Sequence, residues 1–331
     1  MATNYLYGTV LTAEAVAANN RGDNIGNTTT LQKVFHQDDL HTSVSAESIR
    51  FALRYRFQLE NLKVNRSYDP EAGKLNFEDE KRTTWNPGGD VFVDDDLMGF
   101  MDAAAAQAEK ETEEVEAGGE GETKAKAPKK RAKGKTTKRP SPLAIGRAVS
   151  LRPYRGELSF NAVSGEKVKG KLSLYNAEMH TTEYQYSFGL NLDDVIKKEN
   201  IGHVVEAIID PPQVAGNHAR FAYDFSPASI VLRVTNAHSS KIQNCFEHDE
   251  ESRGYTVKKL IERVESKDIP AGELFIGGEL TNTPEGARLK ELGAQVFAGI
   301  RAAADAARAR VAGLHDEFKA VAPGSETGNG G

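Results

Sequence analysis

The densest group of potentially reactive side chains is D-V-F-V-D-D-D-L-M-G-F-M, which sets Asp90 near Asp94, Asp95 and Asp96. Clustered carboxylates offer hard oxygen ligands to a divalent cation. The competing expectation is a solvated strand end that caps a short helix over 97–101. Asp23 and Asp38 lie in a polar stretch near the N-terminus, where an acid is suited to general-base work on a phosphodiester, but no paired acid or metal partner accompanies them. Other chemistries lack a motif. There is no C-x-x-C, H-E-x-x-H, G-x-x-x-x-G-K-[ST] or G-x-S-x-G, and the eight histidines are scattered. The expectation is no enzyme, no metal and no cofactor.

Two stretches suit an anion better. Asn20, Arg21 and Gly22, with Ser43, Ser45 and the start of a helix, converge amides, hydroxyls and a guanidinium. Gly216, Asn217, His218, Ala219 and Arg220 combine a close backbone approach with a charge. The alternative for each is an ordinary polar loop, since short motifs of this kind are not specific. Arg50 and Arg54 lie one helical turn apart, so their guanidinium groups are spaced to reach one ligand.

These residues need elements to position them. A strand is expected over 5–12, then a long polar loop through A-N-N-R-G-D-N-I-G-N-T-T-T-L-Q-K. A helix over 45–62 follows, with Ser45 as N-cap and Ile49, Ala52, Leu53 and Phe57 facing the core. Turns and short strands fill 65–100, including the sole tryptophan, Trp85. Residues 102–142 are low complexity: seven glutamates from Glu109 to Glu122, then nine Lys and Arg from Lys124 to Arg139. Such a segment buries no core and is expected to be disordered. Strands at 148–151 and 158–162 precede a polar hairpin at 164–182. The strand Y-Q-Y-S-F-G-L-N-L alternates from Tyr184 to Leu192. A helix starts at Asp193 or Asp194 and runs to about Ile209, and a strand occupies 221–234. Without the insertions the order is strand, helix, strand, strand, helix, strand, the split βαβ arrangement of RNA-recognition-motif domains. One long C-terminal helix is expected from Thr283 and Pro284, with an apolar stripe from Leu289 to Phe318. That stripe packs on the same domain or serves an interface.

Bulk composition sets limits. The 331 residues carry net charge −6 and one cysteine, Cys245, so no internal disulfide forms and a reducing, cytoplasmic setting is expected. No apolar run reaches the roughly 20 residues that span a membrane, and M-A-T-N-Y-L-Y-G does not read as a signal peptide. Residues 102–142 hold 10 basic and 8 acidic residues, so the remainder holds 32 and 40. Nucleic acid would therefore be held by a local groove and backbone amides, not by a global field.

Several of these motifs resemble one family in sequence and in order. N-N-R-G-D…L-Q-K…S-V-S-A-E-S-I-R-F-A-L-R, D-D-D-L-M-G-F-M, S-P-L-A-I-G-R-A-V-S-L-R-P-Y, Y-S-F-G-L-N-L and G-N-H-A-R-F…F-S-P are similar to the Cas-seven backbone subunits of type I CRISPR Cascade complexes, nearest the DevR-like branch. The resemblance spans about Tyr5 to Val234. It implies an α+β fold: an RNA-recognition-motif-like (ferredoxin-like, split βαβ) palm at 1–61 and 148–235, with inserted finger and thumb regions. The finger insertion is 62–147 and the thumb hairpin about 164–182. Residues 236–331 form a C-terminal helical extension packed on the palm, with a disordered tail. The implied partners are CRISPR RNA, the target DNA strand paired to it, copies of itself in a filament, and other Cascade subunits for capping, repeat processing and the large subunit. No membrane is involved. Carried over by position, Asn20, Arg21, Ser43, Ser45, Ser48, Arg50 and Arg54 contact the RNA backbone, joined by Gly216, Asn217, His218 and Arg220. Leu174, Tyr175 and Met179 are wedge candidates on the thumb. Two other functions compete: a metal-dependent ribonuclease using Asp23 or the Asp94 cluster, and a regulatory interaction protein without RNA.

Overall fold

A computed structural model describes residues 3–18, 21–36, 38–101, 138–162, 174–215, 223–251 and 254–321. The chain begins with β1 (Tyr5–Thr12) and β2 (Ala15–Ala17). Two short strands, β3 (Arg21–Ile25) and β4 (Thr28–Leu31), stand where one long loop is expected, and β5 (Lys33–His36) and β6 (Asp39–Val44) follow before the helix. The threonines of the T-T-T-L run are polar yet β-branched, and pairing to a neighbour makes a strand of them. Gly26 (φ 63°) and Asp38 (φ 68°) supply the left-handed turns between these strands.

Helix α1 (Ala46–Leu59) matches its expected position, and Ile49, Ala52, Leu53 and Phe57 form its buried face. The hairpin β7 (Arg66–Asp69) and β8 (Lys74–Phe77) leads to α2 (Val93–Met98) and β9 (Phe100–Met101). The chain is described again from β10 (Lys138–Arg139), which pairs antiparallel with β9. Most of the charged segment, 102–137, therefore lies outside the described residues, and regular structure resumes three residues before Ser141. Strands β11 (Leu143–Ile145), β12 (Ala148–Ser150), β13 (Glu157–Ala162), β14 (Leu174–Thr182) and β15 (Tyr184–Asn191) follow. Helix α3 (Glu199–Ile209) starts later than Asp193 because that side chain is engaged elsewhere, accepting a hydrogen bond from the Asn4 amide at 2.9 Å. Strand β16 (Pro227–Thr235) then returns to the sheet.

The C-terminal part is not one long helix. It contains β17 (Glu247–Asp249), β18 (Gly254–Thr256), α4 (Lys258–Glu265), β19 (Leu274–Gly278), α5 (Pro284–Glu291), β20 (Gln295–Phe297) and α6 (Ile300–Val321). Thr283 caps α5 and Pro284 opens it, as expected, but Gly293 (φ 102°) ends it and β20 intervenes. The apolar stripe is thereby divided between two cores. Leu289 packs on one face of the main sheet, and Ala304, Ala307 and Val311 pack on the other.

That main sheet has nine strands in the order β20-β19-β16-β1-β15-β12-β6-β5, with β11 also on β15. Helices α1, α2, α3 and α6 cover one face. Helices α4 and α5 and the segment 242–246 cover part of the other. Burial on both sides explains why the alternation of β15 does not mark an exposed face. Gln185 and Ser187, polar between the aromatics, are 6% and 7% exposed, and Gln185 donates to the Phe246 carbonyl. A second sheet, β13-β14-β4-β3 with β2 on β14, stands off the first. Among the described residues no helix is long and apolar enough to cross a membrane.

Candidate nucleic-acid interface

The start of α1 is built as a donor surface. The Ser45 hydroxyl accepts from the Ser48 amide at 3.2 Å and lies 2.9 Å from the Ser48 hydroxyl, and both side chains are half-buried. Ser43, buried on β6, accepts from Arg147 Nη1 at 3.2 Å. Arg147 is exposed and stands at the edge of β12, which pairs Ala148 with Val44 and Val149 with Ser43. A guanidinium, three hydroxyls and the positive end of a helix dipole thus share one corner. Arg147 is the residue that sequence reading passed over. Its signal is weak, a single arginine after a glycine, and only the β12–β6 pairing brings it to Ser43. Arg21 lies on β3, opposite Leu31 on β4. Asn20, Gly216, Asn217, His218 and Arg220 lie outside the described residues.

Arg50 and Arg54 both have partners within the chain. Arg50 donates to the carbonyls of Leu143 (2.9 Å) and Met98 (2.8 Å). Arg54 donates to Asp94 Oδ2 at 3.2 Å. The same network overturns both readings of the acidic cluster. Asp94, Asp95 and Asp96 are neither solvated nor metal ligands but at most 1% exposed, and each meets its own arginine: Arg54, Arg82 and Arg139. Asp94 also takes the Asn65 and Arg66 amides. Asp96 takes the Ile196 and Lys197 amides and the Asn200 amide group. Burial raises the Asp95 carboxyl above its ordinary value, and its Oδ1 has no hydrogen-bond partner. Desolvated carboxylates persist when cations and amides complete their shells. Asp90, in contrast, is exposed, held at about 2 by hydrogen bonds from Lys197 and Lys63. Among the described residues no three His, Cys, Asp or Glu side chains are placed to hold one metal ion.

The polar hairpin begins earlier than 164. Its paired strands run from Glu157 opposite Met179 to Ala162 opposite Leu174, with Tyr175 opposite Asn161. Residues 163–173 lie outside the described residues. Met179 is half-buried. Leu158 and Phe160 on β13 are 57% and 71% exposed, so this hairpin carries apolar surface that the described residues leave uncovered. An ion pair from Lys33 on β5 to Glu178 ties it to the main sheet.

With this geometry in hand, the likeness to known proteins is specific. The family described as CRISPR-associated negative auto-regulator DevR/Csa2 matches residues 8–266. A "CRISPR-associated protein Cas7/Cst2/DevR" of Myxococcus xanthus (strain DK1622) is 35% identical over 317 residues, 93% of this chain and 97% of that protein. Among solved structures, a chain of a "CRISPR RNA-guided surveillance complex, pre-nicking" aligns with TM-score 0.57 at 15% identity, over 93% of this chain and all of that one. A chain of a second "CRISPR RNA-guided surveillance complex" aligns with TM-score 0.54 at 14% identity, over 94% and 99%. The mixed α/β architecture is therefore shared with those chains, and the protein belongs to the DevR/Csa2 family of CRISPR-associated proteins, within the wider Cas7 group.

Proposed function

We propose that this chain is a non-catalytic backbone subunit that holds a CRISPR RNA by its sugar-phosphate chain, beside further copies of itself. The observation that carries the reading is the end-to-end likeness to chains of RNA-guided surveillance complexes, joined to family membership. In this reading 1–61 and 148–235 are an RNA-recognition-motif-like palm. The strand order β16-β1-β15-β12, with α1 and α3 on one face, supports it as a split βαβ unit. Residues 62–147 are the fingers, the β13–β14 hairpin is the thumb, and 236–331 extend the palm.

The donor corner at α1 supplies phosphate contacts from Ser43, Ser45, Ser48 and Arg147, and Asn20 and Arg21 are assigned to the same RNA backbone. Gly216, Asn217, His218 and Arg220 complete the groove. Arg50 and Arg54 brace the fingers instead of gripping RNA, since their guanidinium groups already have partners. Leu174, Tyr175 and Met179 act as wedges between bases. Target DNA is read by pairing to the guide, and other Cascade subunits close the filament in the cytoplasm. Sequence choice resides in base pairing, so a few arginines and amides suffice on an otherwise acidic body.

The test is to express the chain with its partner subunits, with and without a CRISPR array, and to analyse the RNA that co-purifies. A discrete repeat-derived RNA is expected only with the array, reduced at least ~10-fold when Arg21, Arg147 and Arg220 become alanine. Target RNA incubated with magnesium stays intact. Protein free of RNA under both conditions, or cleavage abolished by Asp23→Ala, would overturn the proposal.

A further inference from the structure

One ribbon of two strands, β1 running into β2 and β14 into β15, crosses from the main sheet to the second sheet. On the main-sheet side β1 pairs with β15 as far as Leu11 opposite Gln185. On the other side β2 pairs with β14 from Ala15 opposite Thr182. Between these points Thr12, Ala13 and Glu14 face only Glu183 and Tyr184, so one strand carries an extra residue. An extra residue on one strand of an antiparallel ribbon bends it and increases its twist. The ribbon therefore turns at this point, and the hairpin projects from the turn.

A bend of this kind is free to flex unless something grips both strands. Two side chains do so. Arg152, just after β12, donates to Glu14 Oε2 at 2.5 Å on one strand, and to Glu183 Oε2 and Oε1 at 3.0 and 3.1 Å on the other. Its amide donates to Thr182 Oγ1 at 3.3 Å. The planar fork suits a two-oxygen grip that an ammonium cannot reproduce. The Glu183 side chain is 9% exposed and that of Arg152 25%. Tyr223 grips from the core. Its hydroxyl lies 2.7 Å from Thr12 Oγ1, 3.1 Å from the Ala13 carbonyl and 2.9 Å from the Thr182 carbonyl, and the residue is 5% exposed. Thr12 Oγ1 in turn accepts the Tyr184 amide at 2.9 Å. The two hydroxyls thus serve backbone groups at the bulge: Tyr223 can donate its one proton to the Thr182 carbonyl while Thr12 Oγ1 donates to the Ala13 carbonyl at 3.3 Å and accepts the Tyr184 amide.

We infer that Arg152 and Tyr223 are positioning residues that lock this elbow and so fix the angle at which the β13–β14 hairpin leaves the sheet. The lock stands on the fold alone. Its consequence, that it sets the spacing of successive hairpins along the nucleic acid, rests on the function proposed above. Neither residue touches RNA in this account. Both act through the hairpin.

The experiment uses the full chain carrying spin labels at two exposed positions, Phe160→Cys on the hairpin and Leu59→Cys at the end of α1. Pulsed dipolar spectroscopy reads the distance between them. A single narrow distribution is expected, broadened at least ~2-fold by Arg152→Met and by Tyr223→Phe, with Arg152→Lys between, because lysine keeps the charge but loses the fork. Tyr223→Phe removes one oxygen, so it carries the test if Arg152→Met fails to fold. A distribution in Tyr223→Phe as narrow as the parent's refutes the lock. Nuclease footprints on bound RNA give the second readout. A regular protection period in the parent that blurs in the variants, at unchanged affinity, supports the positioning role, whereas a sharp period in both variants overturns it. Broadened distances with no RNA bound by the parent would leave the lock standing and remove the RNA reading.

Discussion

Replacing Arg139 by methionine tests whether the aspartate fan is a structural bolt. Arg139 Nη2 lies 2.6 Å from Asp96 Oδ1 and also donates to the carbonyls of Asp96 and Asp194, at 2.9 and 2.8 Å. Asp96 is wholly buried, so the substitution leaves its carboxylate with the Ile196 and Lys197 amides and the Asn200 side chain as its only donors among the described residues. Breaking one partner from a buried pair costs about 3–5 kcal/mol, because the remaining charge is desolvated without its counter-ion. Loss of the guanidinium over the Trp85 ring, 5.2 Å from its centroid, adds roughly 0.5–1 kcal/mol. Against a total stability of about 5–15 kcal/mol this is a large fraction. Urea unfolding followed by circular dichroism should show the midpoint falling by ~1–2 M with an unchanged slope. Because Trp85 is the only tryptophan, its emission reports locally on the same joint. A destabilisation below ~1 kcal/mol would refute the reasoning and return the cluster to the solvated surface.

Two further outcomes follow from the same structure. His180 is 3% exposed, with Nδ1 on the Thr42 hydroxyl, and burial first, then the nearby His41, hold its imidazole at about 4. Its folded value lies below the unfolded one, so the stability it contributes is present above about pH 6.5 and lost as pH falls towards 4, on the order of 3 kcal/mol in total. The difference in unfolding free energy between the parent and His180→Gln should shrink across that window, and a pH-independent difference would contradict it. The second concerns the charged segment. Lys138 faces Met101 across the β9–β10 pair, so residues 102–137 leave and re-enter at one point. Replacing them with Asn-Gly, which forms the two-residue turn such a pair favours, should alter stability by less than about 1 kcal/mol in thermal or urea unfolding. A loss above ~3 kcal/mol would mean the segment helps hold the fold.

What the sequence made legible depended on how far away the deciding partner lay. The cap at Ser45, the buried face of α1, the Thr283–Pro284 helix start and the β15 strand are local patterns, and all are present. The strands β3 and β4 were hidden because threonine and asparagine read as loop until β14 is there to pair with Thr28 and Thr29. The Asp94–Asp96 run looked solvated because its three arginines come from positions 54, 82 and 139, and no local rule joins them. The split of the C-terminal stripe hinged on Gly293, whose backbone lets β20 add in parallel to β19. Arg50 and Arg54 were correctly spaced for one ligand, yet carbonyls, a thioether and Asp94 occupy them. The donor corner around Ser45 was half legible. Its serines were visible, and Arg147 was not.

The aspartate fan also imposes an order in time. Asp94 meets a cation already synthesised, Arg54, and Asp95 another, Arg82. Asp96 must wait for Arg139, 43 residues further along, and for amides about 100 residues further along. Emerging from a ribosome at about 5–20 residues per second, the chain exposes this third carboxylate for several seconds before its shell can exist. The Asp96 shell joins the two halves of the chain: this carboxylate on α2 is fully matched only once Arg139, Ile196, Lys197 and Asn200 are in place.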